Sequence, residues 1–302
     1  MTTAIGWGKI ILLGEHAVVY GYPALAAALD RGVSIAPVPT TKGALRLDIP
    51  AWNLAVKADD DHPVARSLAA IVDALDLGRP AVSLVGDAQI PPGAGLGSSA
   101  ALAVAVARAL LSHARRAAEP AAISIAASAS EVLLHGRPSG VDVALAIAGG
   151  IGVFRRSAGL RSITCPQLRV LVGPSGEPRS TAAMVERVAE VTNATADDPR
   201  LAELGGLTDL GTSALLARDL AALGTAMNRA HIVLADLGVS TPQLDSLCEA
   251  ARVSGAHGAK LTGAGGGGAV IALAPRDKET AILAEWRNAG VTGFVATIGA
   301  RT

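Results

Sequence analysis

Three groups of residues in this chain have types and spacing suited to chemistry: a glycine-dense loop ending in two serines, two carboxylates in apolar surroundings, and a lysine near a Glu-His pair. The loop, Pro91-Pro92-Gly93-Ala94-Gly95-Leu96-Gly97-Ser98-Ser99-Ala100, runs straight into the apolar helical sequence Ala101 to Leu111. Glycines at 93, 95 and 97 allow positive φ and let backbone N–H groups approach an anion. The helix start adds unpaired donors and the positive end of the dipole, so the loop reads as a phosphate cradle. Ser98 and Ser99 fall in the first helical turn, where a hydroxyl can cap the backbone or reach a metal ion held by phosphate oxygens.

Glu131 sits on the edge of the helical stripe Ile123, Ala127, Leu134, in a segment otherwise made of alanine, serine and aliphatics. A carboxylate there is either paired or bound, or it is the surface glutamate of an amphipathic helix. Asp142 follows just past the turn Gly136-Arg137-Pro138-Ser139-Gly140. A helix-borne and a turn-borne carboxylate can converge on one site, as metal ligand and general base. Gly8-Lys9 precedes the first strand and Gly14-Glu15-His16 ends it, which brings a cation, a carboxylate and an imidazole near one another. The cluster Lys260-Leu261-Thr262-Gly263-Ala264-Gly265-Gly266-Gly267-Gly268 is too long for a bland hairpin and reads as a flexible loop closing over a ligand, or simply as a mobile loop. The remaining histidines show no metal-ligand spacing.

Two familiar nucleotide motifs are absent. Gly93-Ala94-Gly95 begins like the dinucleotide fingerprint, but Ser98 stands in place of its third glycine and Pro91-Pro92 separate the loop from its strand. No Lys-Ser or Lys-Thr follows the last glycine, which excludes a Walker P-loop.

The elements that must position these groups follow from hydrophobic periodicity. Ile10 to Leu13 predicts a buried strand, Ala24 to Leu29 a strand or helix, Leu45 to Ile49 a half-exposed strand, Pro63 to Leu75 a helix and Ala81 to Val85 a strand. Helices are predicted over Ala101 to Leu111 and from Pro120 to His135. Beyond a composition change near Ser157 to Pro166 the pattern is strand Leu168 to Val172 and helices Ser180 to Val191, Ala214 to Leu237 and Pro242 to Ala256. The last portion reads strand Ala259 to Thr262, glycine loop, strand Ala269 to Ala274, helix Lys278 to Ala289 and strand Gly293 to Ile298. The expected class is α+β, with helices on one face of an antiparallel sheet. Two domains are expected, 1–160 and 161–302.

At 302 residues and 50% hydrophobic content the chain can fill such cores. Its 26 basic and 26 acidic residues leave no net charge to draw it onto nucleic acid or an anionic membrane, so a small-molecule substrate is expected. Cys165 and Cys248 lack the paired spacing of a metal or redox motif, which fits a reducing cytoplasm. The N-terminal residues lack the order of a signal peptide, and the longest apolar stretch, Val143 to Phe154, is interrupted by Gly149-Gly150. A soluble cytoplasmic protein is expected.

These pieces, in this order, resemble the GHMP small-molecule kinases, named for galactose, homoserine, mevalonate and phosphomevalonate. Gly8 to Gly21 looks like the family's first motif, Pro91 to Ala101 like its second and Lys260 to Gly268 like its third. Glu131 followed by His135-Gly136-Arg137-Pro138-Ser139-Gly140-Val141-Asp142 is similar to the segment that carries a metal-binding glutamate and a catalytic aspartate in the members acting on mevalonate, and Arg179-Ser180-Thr181 and Leu237-Gly238-Val239-Ser240 are similar too. The resemblance implies a two-domain fold, N-terminal like ribosomal protein S5 domain 2 and C-terminal ferredoxin-like. It implies ATP and Mg²⁺ as cofactors, mevalonate as acceptor and a homodimer. Carried over residue by residue, it implies Ser99 and Glu131 as Mg²⁺ ligands, Asp142 as general base with Lys9 as the cation beside it, and Glu15 and His16 lining the acceptor pocket. Pro92, Gly93, Ala94, Gly95, Leu96, Gly97, Ser98 and Ser99 then hold ATP, and Thr181 lies near the transferred group. Two departures stand out: Trp7 where the family usually has proline before Gly-Lys, and Val143 where a polar residue often follows the aspartate. The competing expectations are a kinase for phosphomevalonate or another GHMP substrate, and a catalytically silent ligand sensor on the same fold. Joint retention of Lys9, Ser99, Glu131 and Asp142 speaks against the sensor.

Overall fold

The structure, a computed structural model, describes residues 3–40, 45–136, 138–177 and 180–299. In chain order it contains strands β1 (Ala4–Leu13), β2 (Ala24–Pro39), β3 (Arg46–Ile49) and β4 (Leu54–Lys57), helix α1 (Pro63–Ala74), strand β5 (Val82–Ala88), and helices α2 (Ser98–His113), α3 (Pro120–His135) and α4 (Val141–Ala148). Strands β6 (Ile151–Arg155), β7 (Gly159–Ser162) and β8 (Leu168–Pro174) follow, then helices α5 (Thr181–Val191), α6 (Pro199–Ala217), α7 (Leu220–Asp236) and α8 (Pro242–Val253), strands β9 (Gly258–Thr262) and β10 (Ala269–Leu273), helix α9 (Arg276–Asn288) and strand β11 (Phe294–Ile298). The class is α+β.

The chain forms two compact units, each assembled from separated stretches: Met1–Gly8, Arg31–Pro92 and Gly97–Gly149 in the first, Lys9–Asp30, Gly93–Leu96 and Gly150–Thr302 in the second. In the first, β3 pairs antiparallel with β4 and parallel with β5, and β5 pairs antiparallel with the second half of β2, Val33 facing Ala88 and Pro39 facing Val82. Helices α1 to α4 pack on one another, with α2 touching the other three. Every residue of α2 from Ala100 to Ala107 is buried, so this helix is apolar all round and forms the middle of the helical layer. Its N-terminus, where Ser98 and Ser99 lie, is therefore set by packing along the whole helix.

In the second unit the strand order is β11-β8-β10-β9, all antiparallel, with Ile271 opposite both Val172 and Lys260. Helices α7, α8 and α9 pack on these strands. Every residue of β9 and β10 is buried, so both faces of these two strands are covered. The first half of β2 pairs antiparallel with β6, and β6 antiparallel with β7.

Local chemistry explains most boundaries. Proline opens α1, α3, α6 and α8, where its missing N–H costs nothing. The predicted continuous helix from Ala214 to Leu237 is two: Arg218 turns left-handed at φ 61°, and Asp219 accepts a hydrogen bond from the Ala222 N–H at 2.9 Å, capping α7. The apolar run from Val143 to Phe154 also divides, into α4 and β6, because Gly149 at φ 68° ends the helix. No helix among the described residues is long and apolar enough to cross a membrane.

Candidate active site

The first unit carries the hydroxyl and carboxylate groups. Ser98 and Ser99 open α2 behind the N-cap residue Gly97. The Ser99 hydroxyl lies 3.1 Å from Nε2 of His135, so it meets a side chain from α3 instead of capping its own helix. Glu131 is 2% exposed, buried where a surface glutamate was the alternative reading. Its Oε2 is 3.8 Å from the same His135 Nε2, across one turn of α3. One imidazole nitrogen thus brings Ser99 and Glu131 to the same place. Asp142 is half-buried in the first turn of α4, behind the cap Gly140, just past the turn as the sequence led us to expect. Arg137, in that turn, lies outside the described residues.

The second unit carries the cations. Lys9, 2% exposed, binds the glycine loop twice: its N–H donates to the Leu96 carbonyl at 2.8 Å and its Nζ to the Gly95 carbonyl at 3.2 Å. The loop glycines take the expected left-handed backbone, with φ 72°, 79° and 71° at Gly93, Gly95 and Gly97. Lys9 and Asp142 belong to different units, as do Gly93 to Leu96 and Ser99. Glu15, 1% exposed, forms an ion pair with Lys260, 0% exposed, and Lys260 Nζ also donates to the Leu261 carbonyl at 2.6 Å. Burial pushes the Glu15 carboxyl up from its ordinary pKa and the Lys260 ammonium down, while their mutual attraction works against both shifts. His16 Nε2 lies 2.8 Å from the Ala264 carbonyl; a carbonyl can only accept, so this nitrogen carries the proton.

The third glycine cluster is tied down rather than free. The Gly266 N–H donates to the Val239 carbonyl at 2.8 Å, the Gly268 N–H to the Glu177 carbonyl at 3.3 Å, and the Gly268 carbonyl accepts from the Ser175 N–H at 2.7 Å. A Cβ on Gly265, at φ 77°, would stand 2.0 Å from the Val239 carbonyl oxygen, so only glycine permits that approach. Met184 of α5 packs on Gly266, which sets the start of α5, with Thr181 behind its cap Ser180, beside this loop. Arg179 lies outside the described residues.

Two participants carried no role in the sequence reading. His135 was legible as the i+4 neighbour of Glu131 on a helix. Lys260 was legible as a lysine inside an otherwise apolar strand, which needs a counter-charge, though nothing local names Glu15 as that partner.

A hydroxyl and a carboxylate are hard oxygen donors that suit Mg²⁺. Among the described residues no group of three or more His, Cys, Asp and Glu side chains could hold a metal ion.

The family profile "GHMP kinases N terminal domain" matches residues 63–150, and "GHMP kinases C terminal" matches 212–292. The chain belongs to the GHMP kinases, and is an ATP-dependent kinase with an alcohol acceptor. It is 34% identical to the mevalonate kinase of Thermococcus sibiricus, the match covering 96% of this chain and 94% of that one. Among solved structures it is similar to L. major mevalonate kinase in complex with R-mevalonate, with a TM-score of 0.85 and 27% identity over 100% of this chain and 97% of that one. Methanococcus jannaschii mevalonate kinase gives a TM-score of 0.85 and 26% identity over 99% and 98% of the two chains.

Proposed function

We propose that the chain is a mevalonate kinase, transferring the γ-phosphoryl group of ATP to the primary hydroxyl of (R)-mevalonate to give 5-phosphomevalonate and ADP. The observation that carries this reading is the near-complete match to mevalonate kinases together with the convergence of Ser99 and Glu131 on His135.

Phosphoryl transfer passes through a loose transition state, so catalysis rests on alignment and on neutralising charge at the phosphate oxygens. Backbone N–H groups of Gly93 to Ser99 and the α2 N-terminus hold the phosphates. Ser99 and Glu131 hold Mg²⁺, which when bound offsets charge on the phosphate oxygens. Asp142 takes the proton of the acceptor hydroxyl as its oxygen bonds to phosphorus and the bond to the ADP oxygen breaks. Lys9 supplies a fixed positive charge, steadied on the Gly95 carbonyl. Glu15 and His16 bind the acceptor, and Thr181 lies near the transferred group. On this reading the enzyme is cytoplasmic and homodimeric; the two free cysteines, Cys165 and Cys248, support a reducing compartment.

The test is ADP formation from ATP and Mg²⁺ with mevalonate, phosphomevalonate, homoserine and galactose offered separately. Turnover on mevalonate alone is expected. Turnover on phosphomevalonate alone moves the acceptor assignment, and ATP binding without turnover on any of them favours the silent sensor.

A further inference from the structure

Four hydrogen-bonded links join residues 11–16 to the strand and loop at 260–264, all inside the second unit. Thr262 Oγ1 accepts from the Ile11 N–H at 2.9 Å and lies 3.0 Å from the Ile11 carbonyl, to which it donates. His16 holds the Ala264 carbonyl at 2.8 Å, and Lys260 holds Glu15. Of these, the Lys260–Glu15 contact alone joins two charged groups, and both are essentially without solvent. The Lys260 ammonium spends its other contact on the Leu261 carbonyl, so it is fixed to its own strand and presents one side to Glu15. It grips only one carboxylate oxygen: Oε1 is in the ion pair, while Oε2 is buried with no hydrogen-bond partner among the described residues. A buried carboxylate oxygen without a donor is costly to maintain for structural purposes alone, and it is available to accept from a hydroxyl-bearing ligand.

Resting on the reading of Glu15 and His16 as acceptor-binding residues, we propose that Lys260 is a positioning residue for the acceptor. Its ammonium fixes Oε1 of Glu15 so that Oε2 is held ready for a hydroxyl of a polyhydroxy acid. Lys260 also answers the charge of Glu15, which otherwise attracts Lys9, the second cation acting on it.

The experiment compares Lys260→Met, Lys260→Arg and Thr262→Val with the wild-type enzyme, reading kcat, KM for mevalonate, KM for ATP, melting temperature, and the rise in melting temperature on adding mevalonate alone. Thr262→Val loosens the same junction without touching Glu15. Lys260→Met is expected to raise KM for mevalonate at least about tenfold and abolish the mevalonate-induced thermal shift, with KM for ATP within about twofold. Lys260→Arg, which keeps the charge, is expected to recover part of that loss, and it serves as the readable variant if the methionine protein does not fold. Thr262→Val is expected to lower the melting temperature with KM for mevalonate unchanged. The assignment is overturned if both Lys260 variants keep the wild-type KM for mevalonate, or if Thr262→Val raises it as much as Lys260→Met does. Absence of wild-type turnover on mevalonate overturns the kinase reading itself, a different result from normal wild-type turnover with unaltered variants.

Discussion

The two units hold their candidate site residues in opposite ways. In the first, Ser99 and His135 are 36 positions apart, and Glu131 and His135 are one helical turn apart. In the second, Lys260 and Glu15 are 245 positions apart, His16 and Ala264 248, and Thr262 and Ile11 251. The first set is oxygen-rich and mounted on helix ends; the second is cation-rich, fully buried and closed by contacts between the two ends of the chain. Helix geometry sets Glu131 beside His135 and the packing of α2 on α3 brings Ser99 to the same histidine, while the second exists only once the antiparallel sheet has formed. Damage to the first should therefore be chemical and damage to the second conformational.

The sharpest way to break that contrast is Asp142→Asn. Removing a general base is expected to lower kcat by about 10²- to 10⁴-fold, with KM for ATP and melting temperature little changed, as steady-state kinetics and calorimetry will show. A large fall in stability would place Asp142 in the conformational class. Glu15→Gln is the counterpart in the second unit. It leaves the Lys260 ammonium buried without its partner, and denaturant unfolding should show a loss of about 3–5 kcal/mol.

A pH effect is also expected in the second unit. The Leu261 N–H donates to Nδ1 of His231 at 3.3 Å, so Nε2 carries the proton and donates to Asp245 at 3.0 Å; burial pulls the imidazole pKa down to about 4, more than the nearby Asp245 raises it. The unfolded imidazole binds a proton below its ordinary value of 6.5 and the folded one does not until about 4. Stability from this residue is therefore complete above that ordinary value and is lost as pH falls towards the folded one, by up to about 3 kcal/mol before solvent screening. Urea unfolding of wild type and His231→Asn across this range should give curves that converge as pH falls. The smallest effect belongs to Glu131→Gln, which should leave the fold intact and raise the Mg²⁺ concentration for half-maximal rate by about tenfold. Unaltered Mg²⁺ dependence would remove Glu131 from the metal site.

Legibility in the sequence follows the same division. Proline at helix starts and apolar periodicity marked α1, α2, α3 and β5 within a few residues of their observed limits. The start of α6 at Pro199 went unread although Asp198-Pro199 carries the same helix-start signal, and the break before α7 was missed because a left-handed arginine is a weak signal inside a run of alanine and leucine.

By itself the sequence determined the α+β class, the position of the glycine-dense loop, and Lys9, Glu15, Ser99, Glu131 and Asp142 as candidate groups for chemistry. These depend on local propensity and on side-chain types, which a linear chain displays. The tertiary structure decided that Glu131 is buried against His135, that the third glycine cluster is pinned, and that Lys260 answers Glu15. A buried charge takes its partner from whatever the fold brings beside it, and sequence spacing carries no record of that partner when the residues come from opposite ends of the chain.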